Sequence, residues 1–261
     1  MALLLVASAC GPPPALKLPS GSPTPLTDIG PIASEALARC EGISSMTAEL
    51  GLSGRVGTTK LRGRLQVGLA RPNRVRLEAV APFGAPFFIL AGGGDSGTLI
   101  LPRDARVLRD APPSAILGAL AGLDVAPDDL RAWLVGCPAA SFTPGTARAY
   151  GVDWAAIDDG GRIAWFHHVG RWRLEQSSAA GLTVDLTGWT AAGPASVRIR
   201  REAAGDQAAL DVRLAVSQLE TNPGLSDAAF VIDVPADATP ITLDELRQSG
   251  PLRDAQGGKS R

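Results

Sequence analysis

Arg74-Val75-Arg76-Leu77-Glu78-Ala79-Val80 alternates polar and apolar residues, Pro86-Phe87-Phe88-Ile89-Leu90-Ala91 is apolar throughout, and Thr98-Leu99-Ile100-Leu101 follows a glycine-rich turn. A fourth short run, Ala105 to Arg109, leads into two apolar segments of helical period. The first, Pro112 to Leu123, puts Ile116, Leu117 and Leu120 on one stripe. The second opens with Pro127-Asp128-Asp129, where acids favour the helix N-terminus, and presents Leu130, Trp133 and Leu134. Gly118, Gly122 and Gly136 keep both helices short. Strands followed by paired helices and then more strands predict a curved sheet whose concave face carries a helical lid. The runs 87–90 and 99–101 leave no polar face, so both sides need cover, and the two helices are the predicted cover.

Working outward, the same alternation recurs on both sides. Upstream, Ile32 to Cys40 has helical spacing, and Ala48 to Val56 and Lys60 to Ala70 are strands. Downstream, Ala149 to Ile157 and Arg162 to His168 flank the turn Asp158-Asp159-Gly160-Gly161, a hairpin signal. Arg171 to Glu175, Leu182 to Leu186, Val197 to Arg200 and Leu210 to Val216 follow, and Asn222-Pro223-Gly224-Leu225 turns the chain into a last strand, Ala229 to Pro235. One apolar face per strand excludes a parallel sheet, which would bury both. The predicted fold class is mainly β (α+β): a single curved antiparallel sheet forming a half-open β-barrel with a short helical lid.

Arg71-Pro72-Asn73-Arg74-Val75-Arg76-Leu77-Glu78, Ala81-Pro82-Phe83-Gly84 and Leu101-Pro102-Arg103-Asp104 together resemble the LolB-like lipoproteins of the bacterial outer membrane, within the LolA/LolB superfamily of lipoprotein and lipid carriers. The resemblance implies a non-catalytic protein whose apolar cavity takes the acyl chains of a lipoprotein or lipid, with a periplasmic carrier protein as a further partner. The exposed apolar loop by which receptor members deliver cargo has no residue-by-residue match here. Phe83, Phe87, Ile89, Leu117, Leu120, Trp133 and Leu134 are the candidate lining, and the same seven serve equally as core. A structural or interaction lipoprotein, its half-barrel collapsed onto the lid, is the rival reading.

Met1 to Ala9 is a short apolar stretch ending at Cys10, and Ala7-Ser8-Ala9-Cys10 is similar to a lipobox. Residues 1–9 are then the tail of a signal peptide, with the start codon placed too late, and Cys10 becomes a lipidated N-terminus. Ala7 replaces the commoner Leu, and no Lys or Arg precedes the apolar run. Gly11 to Pro31 holds seven prolines, a composition that favours an extended stalk, so 10–31 is the anchor and stalk. Gly11 after the cysteine, in place of an inner-membrane-retaining Asp, predicts the outer membrane. Residues 32–247 form the domain, and 248–261 a polar, disordered tail.

With 25 basic and 26 acidic residues the net charge is -1, and no global field draws the chain to nucleic acid. Gly94-Asp95-Ser96-Gly97 is similar to a serine-protease nucleophile motif, yet a triad needs a histidine in reach and the only two are His167 and His168. A turn is the simpler reading, and hydrolysis by Ser96 the remote one. The adjacent histidines point to opposite faces of a strand, one interior and one surface, so they do not share a metal ion. No cofactor or metal is predicted. Cys40 and Cys137 are either a disulfide tying the first helix to the end of the lid or two buried thiols. Arg62, Arg64, Arg74, Arg76, Arg171, Arg173, Arg198 and Arg200 form the solvated outer side of the sheet.

Overall fold

The alternating segments pair into one sheet. In the computed structural model, residues 16–80, 85–139, 143–179, 181–205 and 207–249 are described. Cys10, Phe83 and the segment 250–261 lie outside the described residues. The strands are β1 (Thr24–Pro25), β2 (Ser45–Val56), β3 (Thr59–Ala70), β4 (Arg74–Val80), β5 (Ile89–Gly93), β6 (Ser96–Leu101), β7 (Arg106–Ala111) and β8 (Thr146–Tyr150). They continue as β9 (Trp154–Asp158), β10 (Arg162–His168), β11 (Trp172–Ala179), β12 (Leu182–Trp189), β13 (Pro194–Arg201), β14 (Leu210–Thr221) and β15 (Thr239–Pro240). Their spatial order is β1-β8-β9-β10-β11-β12-β13-β14-β2-β3-β4-β5-β6-β7-β15, so β1 and β15 are the edges of an open sheet. Every pairing is antiparallel except that of β15 with β7. The long β14–β2 ladder joins the two halves of the chain.

Two cross-strand rows explain what packs where. One row runs Ala48, Val67, Leu77, Leu90, Leu99, Leu108 from β2 to β7, and all six are buried in the core. The neighbouring row on the opposite face runs Glu49, Gln66, Glu78, Ile89, Ile100, Val107. It is polar over β2–β4 and turns apolar at β5. The inner face needs a cover everywhere, whereas the outer face needs one only over β5–β7.

Two lid helices, Pro113–Ala121 and Pro127–Leu134, cover the inner face of β3–β6. The outer cover is the segment from Asn222 to Ile241, a strap across the back of the sheet. Its middle is a 3₁₀ turn, Asp227–Phe230, whose Phe230 is buried over β4 and β5. Asn222 starts the strap by accepting from the Ser44 N–H and donating to the Gly42 carbonyl, both at 2.8 Å. Arg74 pairs with Asp227 at 2.7 Å and lies over the Phe230 ring, while Arg76 donates to the carbonyls of Ala229 and Val231. The strap replaces the expected last strand Ala229–Pro235, because Arg76 satisfies these carbonyls in place of a ladder partner.

Other expectations change in detail. Ala149 to Ile157 is two strands, β8 and β9, reversed at Gly151, whose φ of 68° glycine adopts at little cost. The first helix runs as Gly30–Ile32, a π-helical turn Ala33–Leu37, and Ala38–Glu41. Thr24–Pro25, in the proline-rich segment, adds to the sheet edge, and Leu26 and Ile29 pack on the core. A helix at Leu243–Ser249 was not anticipated. Thr242 and Glu245 cap it reciprocally, each side chain accepting from the other's backbone N–H, and Leu246 is buried. Neither histidine is interior: His167 stacks on Trp154 and His168 is exposed at the strand end.

On the outer face Arg62, Arg64 and Arg171 are exposed, while Arg76, Arg173, Arg198 and Arg200 pair with Glu78, Glu175, Asp211 and Asp185. Arg198 grips Asp211 with two hydrogen bonds of 2.8 and 2.7 Å, which hold that carboxyl below its usual pKa. The Asp211 contribution to stability is therefore present above about pH 4 and fades as pH falls through the depressed value. Both groups are nearly half exposed, so Asp211→Asn should lower the unfolding free energy at neutral pH by no more than about 1 kcal/mol, and the gap should close in acid. A gap independent of pH would refute the pairing as its source. Phe230→Ala should cost about 3 kcal/mol in urea unfolding and speed amide exchange in β4 and β5. An unchanged urea midpoint would mean the strap is not a structural cover.

Candidate functional site

The lid forms the inner wall of the molecule. Leu117, Leu120, Trp133 and Leu134 are all buried and belong to one apolar cluster with Val67, Leu77 and Leu90. The lid is thus closed onto the sheet. Gly122 ends the first lid helix at φ 65°, with its N–H donating to the Gly118 carbonyl at 2.9 Å. Gly136 ends the second at φ 82°, where an added Cβ would lie 2.4 Å from the Trp189 ring. Trp133 Nε1 is buried with no hydrogen-bond partner among the described residues, an arrangement that costs on the order of 1–3 kcal/mol.

The two aromatic-strand candidates fall differently. Phe87 and Phe88 both lie opposite Ala79: the Phe87 N–H donates to the Ala79 carbonyl, and the Ala79 N–H donates to that of Phe88. This is a β-bulge, and it shifts the phase of everything after it. Phe88 and Leu90 take the interior positions. Phe87 is half-buried beneath the Arg103 guanidinium, 4.0 Å from its ring centre, and Ile89 pairs with Glu78 on the outer face. Ile89 therefore does not line the interior, and Leu90 does.

At the side of the lid, the first helix and the second lid helix enclose a cavity of about 640 Å³. Among its walls are Ala33, Leu37, Ala132, Pro138, Arg71 and Arg131. The size falls in the range of small-molecule sites. A disulfide between Cys40 and Cys137 crosses the same seam, joining the first helix to the end of the lid across 97 residues of chain. A second cavity, about 320 Å³, lies on the outer face beneath the strap, lined by Glu49, Gln66, Arg76, Glu78, Leu225 and Phe230 among others.

Arg131 was not foreseen as a site residue. It is 1% exposed; one terminal nitrogen donates to the Ile43 carbonyl at 2.8 Å, and Nε donates to Asp128 Oδ1 at 3.4 Å. The other terminal nitrogen has no partner among the described residues. Burial, and then the nearby charge of Arg71, pull its pKa below the ordinary guanidinium value. Asn73, at the turn between β3 and β4, accepts from the Asp128 N–H at the start of the same helix.

Ser96 sits in the β5–β6 hairpin opposite Gly93, and its hydroxyl bonds the Asp110 carboxylate at 3.5 Å. His167 instead faces Asp153 and Glu175. Among the described residues no cluster of three or more metal-ligating side chains is present, and no helix is long and apolar enough to cross a membrane.

No protein-family model and no curated protein matches the chain. Among solved structures it is similar to a LolA superfamily protein of Nitrosomonas europaea, at 11% identity and a TM-score of 0.48, covering 76% of this chain and 98% of that one. It is also similar to a DUF1329 family protein of Desulfovibrio piger, at 12% identity and a TM-score of 0.49, covering 75% and 92%.

The Cys40–Cys137 bridge closes a long loop, so reducing it should lower the unfolding free energy by about 2–4 kcal/mol. Thermal melts with and without reductant, with Cys40→Ala/Cys137→Ala as the control, check this. A Tm indifferent to reductant in the parent chain would show that the seam holds without the bridge.

Proposed function

We propose that this chain is a bacterial envelope lipoprotein, held to the outer membrane through Cys10, that binds acyl chains of lipoproteins or lipids beneath its lid. What carries the reading is the seam: a cavity of about 640 Å³ beside short lid helices that end at left-handed glycines and close an apolar concave face. The resemblance of residues 71–104 to LolB-like lipoproteins supports it. So does the unpartnered Trp133 indole, a donor that the closed lid leaves unsatisfied.

Transfer of acyl chain from water gains about 0.8 kcal/mol per methylene. Ten methylenes supply on the order of 8 kcal/mol, against which the lid must give up its own packing on the sheet. Such exchange of like for like makes binding reversible and needs no reactive group. Residues 10–23, ahead of β1, act as the tether, Leu117, Leu120, Trp133 and Leu134 as the moving wall, and a periplasmic carrier protein as the donor of cargo.

The tight closure of the lid favours one other reading, a structural or interaction lipoprotein with a permanently filled interior. The test that separates them is native mass spectrometry with lipid extraction on the full chain purified from bacterial envelope. Co-purifying phospholipid or lipopeptide, lost in folded Ala33→Trp, in which the indole fills the seam cavity, is the expected result. Ala33 is half-buried on the first helix, so the variant should keep its circular dichroism. A bare protein mass, together with no uptake of added fatty acid, would sink the carrier reading in favour of the structural one.

A further inference from the structure

Buried cations are ordinarily matched on every donor, and Arg131 is not. Its guanidinium is held on one side by Ile43 and Asp128, while its other terminal nitrogen has no partner among the described residues. Arg71, an exposed residue whose guanidinium donates to the Cys40 carbonyl at 3.2 Å, lines the same cavity. Two cations thus share one wall. The acids nearby offset this charge only in part: Asp128 bonds Nε of Arg131, Asp129 acts on it through charge alone, Glu41 is exposed, and none of them is bonded to the remaining terminal nitrogen. The remaining surface is small and apolar, with Ala33, Leu37 and Ala132.

We propose that the cavity between the first helix and the second lid helix binds an oxyanion, a carboxylate or phosphate, between Arg71 and Arg131, as the charged end of a ligand whose apolar part lies on Ala33, Leu37 and Ala132. The apolar half of this site rests on the acyl-binding reading, and the anionic half stands on the two arginines. The oxyanion offsets the mutual repulsion of the pair and, as the lid shifts, gives the buried terminal nitrogen of Arg131 the acceptor it lacks. Guanidinium groups suit this task because their fork matches two oxygens of one anion. The site selects anionic amphiphiles over neutral ones, with the charged end at the disulfide seam and the chain running toward the lid.

Isothermal titration of the full chain with dodecanoate, dodecan-1-ol and inorganic phosphate tests the proposal. Dodecanoate should bind at least about tenfold more tightly than dodecan-1-ol, the scale of a lost charged hydrogen bond. Arg71→Gln and Arg131→Gln should each remove that preference and leave dodecan-1-ol affinity unchanged. Should Arg131→Gln fail to fold, Arg71→Gln, at the exposed rim, decides alone. Phosphate bound without either amphiphile, and lost in Arg71→Gln, would uphold the anion site with a free oxyanion as its ligand and retire the acyl reading. Equal affinity for dodecanoate and dodecan-1-ol would overturn the anion site while leaving the acyl reading intact, and silence from all three probes would overturn both.

Discussion

The constraint on which this fold depends is that β5 and β6 are apolar on both faces. A one-sided sheet needs a single cover; over β2–β4 the outer face is polar, and there the strap lies above Glu49, Gln66 and Glu78 and buries its Phe230 at β4 and β5. From Ile89 onward both faces must leave water, so the chain builds two covers: the lid helices within the concavity and the Asn222–Ile241 strap behind it. Each apolar side chain so buried is worth about 1.5–3 kcal/mol, which outweighs ordering a strap with few ladder bonds of its own.

Residues Arg71 to Glu78 are the point where these covers meet. Arg71 reaches the first helix and the seam cavity, Asn73 ties down the start of the second lid helix, and Arg74 and Arg76 hold the strap. The polar members of one turn and strand thus position lid, helix and strap together, while Val75 and Leu77 between them enter the core. That division of labour gives a physical meaning to the motif: its charges work at backbone carbonyls and helix ends, not as solvated surface.

Legibility varied by residue for definite reasons. Arg74–Val80 alternates cleanly, and its strand limits, like those of Arg162–His168, match the structure. Phe87-Phe88-Ile89-Leu90 carries no phase, since every position is apolar, so only hydrogen bonds at the Phe87/Phe88 bulge reveal that Leu90 and not Ile89 is interior. Arg131 gave no signal, because an arginine on a short helix is nearly always solvated. Thr242-Leu243-Asp244-Glu245, by contrast, is a capping box in plain sight. Its significance was hidden by the polar tail that follows it.

Local pattern alone determined the one-sided strands, the paired helices after them and hence a lidded, curved antiparallel sheet, because periods of 2 and 3.6 are properties of neighbouring residues. Tertiary structure alone decided the strand order, the strap, the joining of Cys40 to Cys137 and the meeting of Arg71 with Arg131 around a cavity. These join segments tens of residues apart, and no local period encodes distance through space.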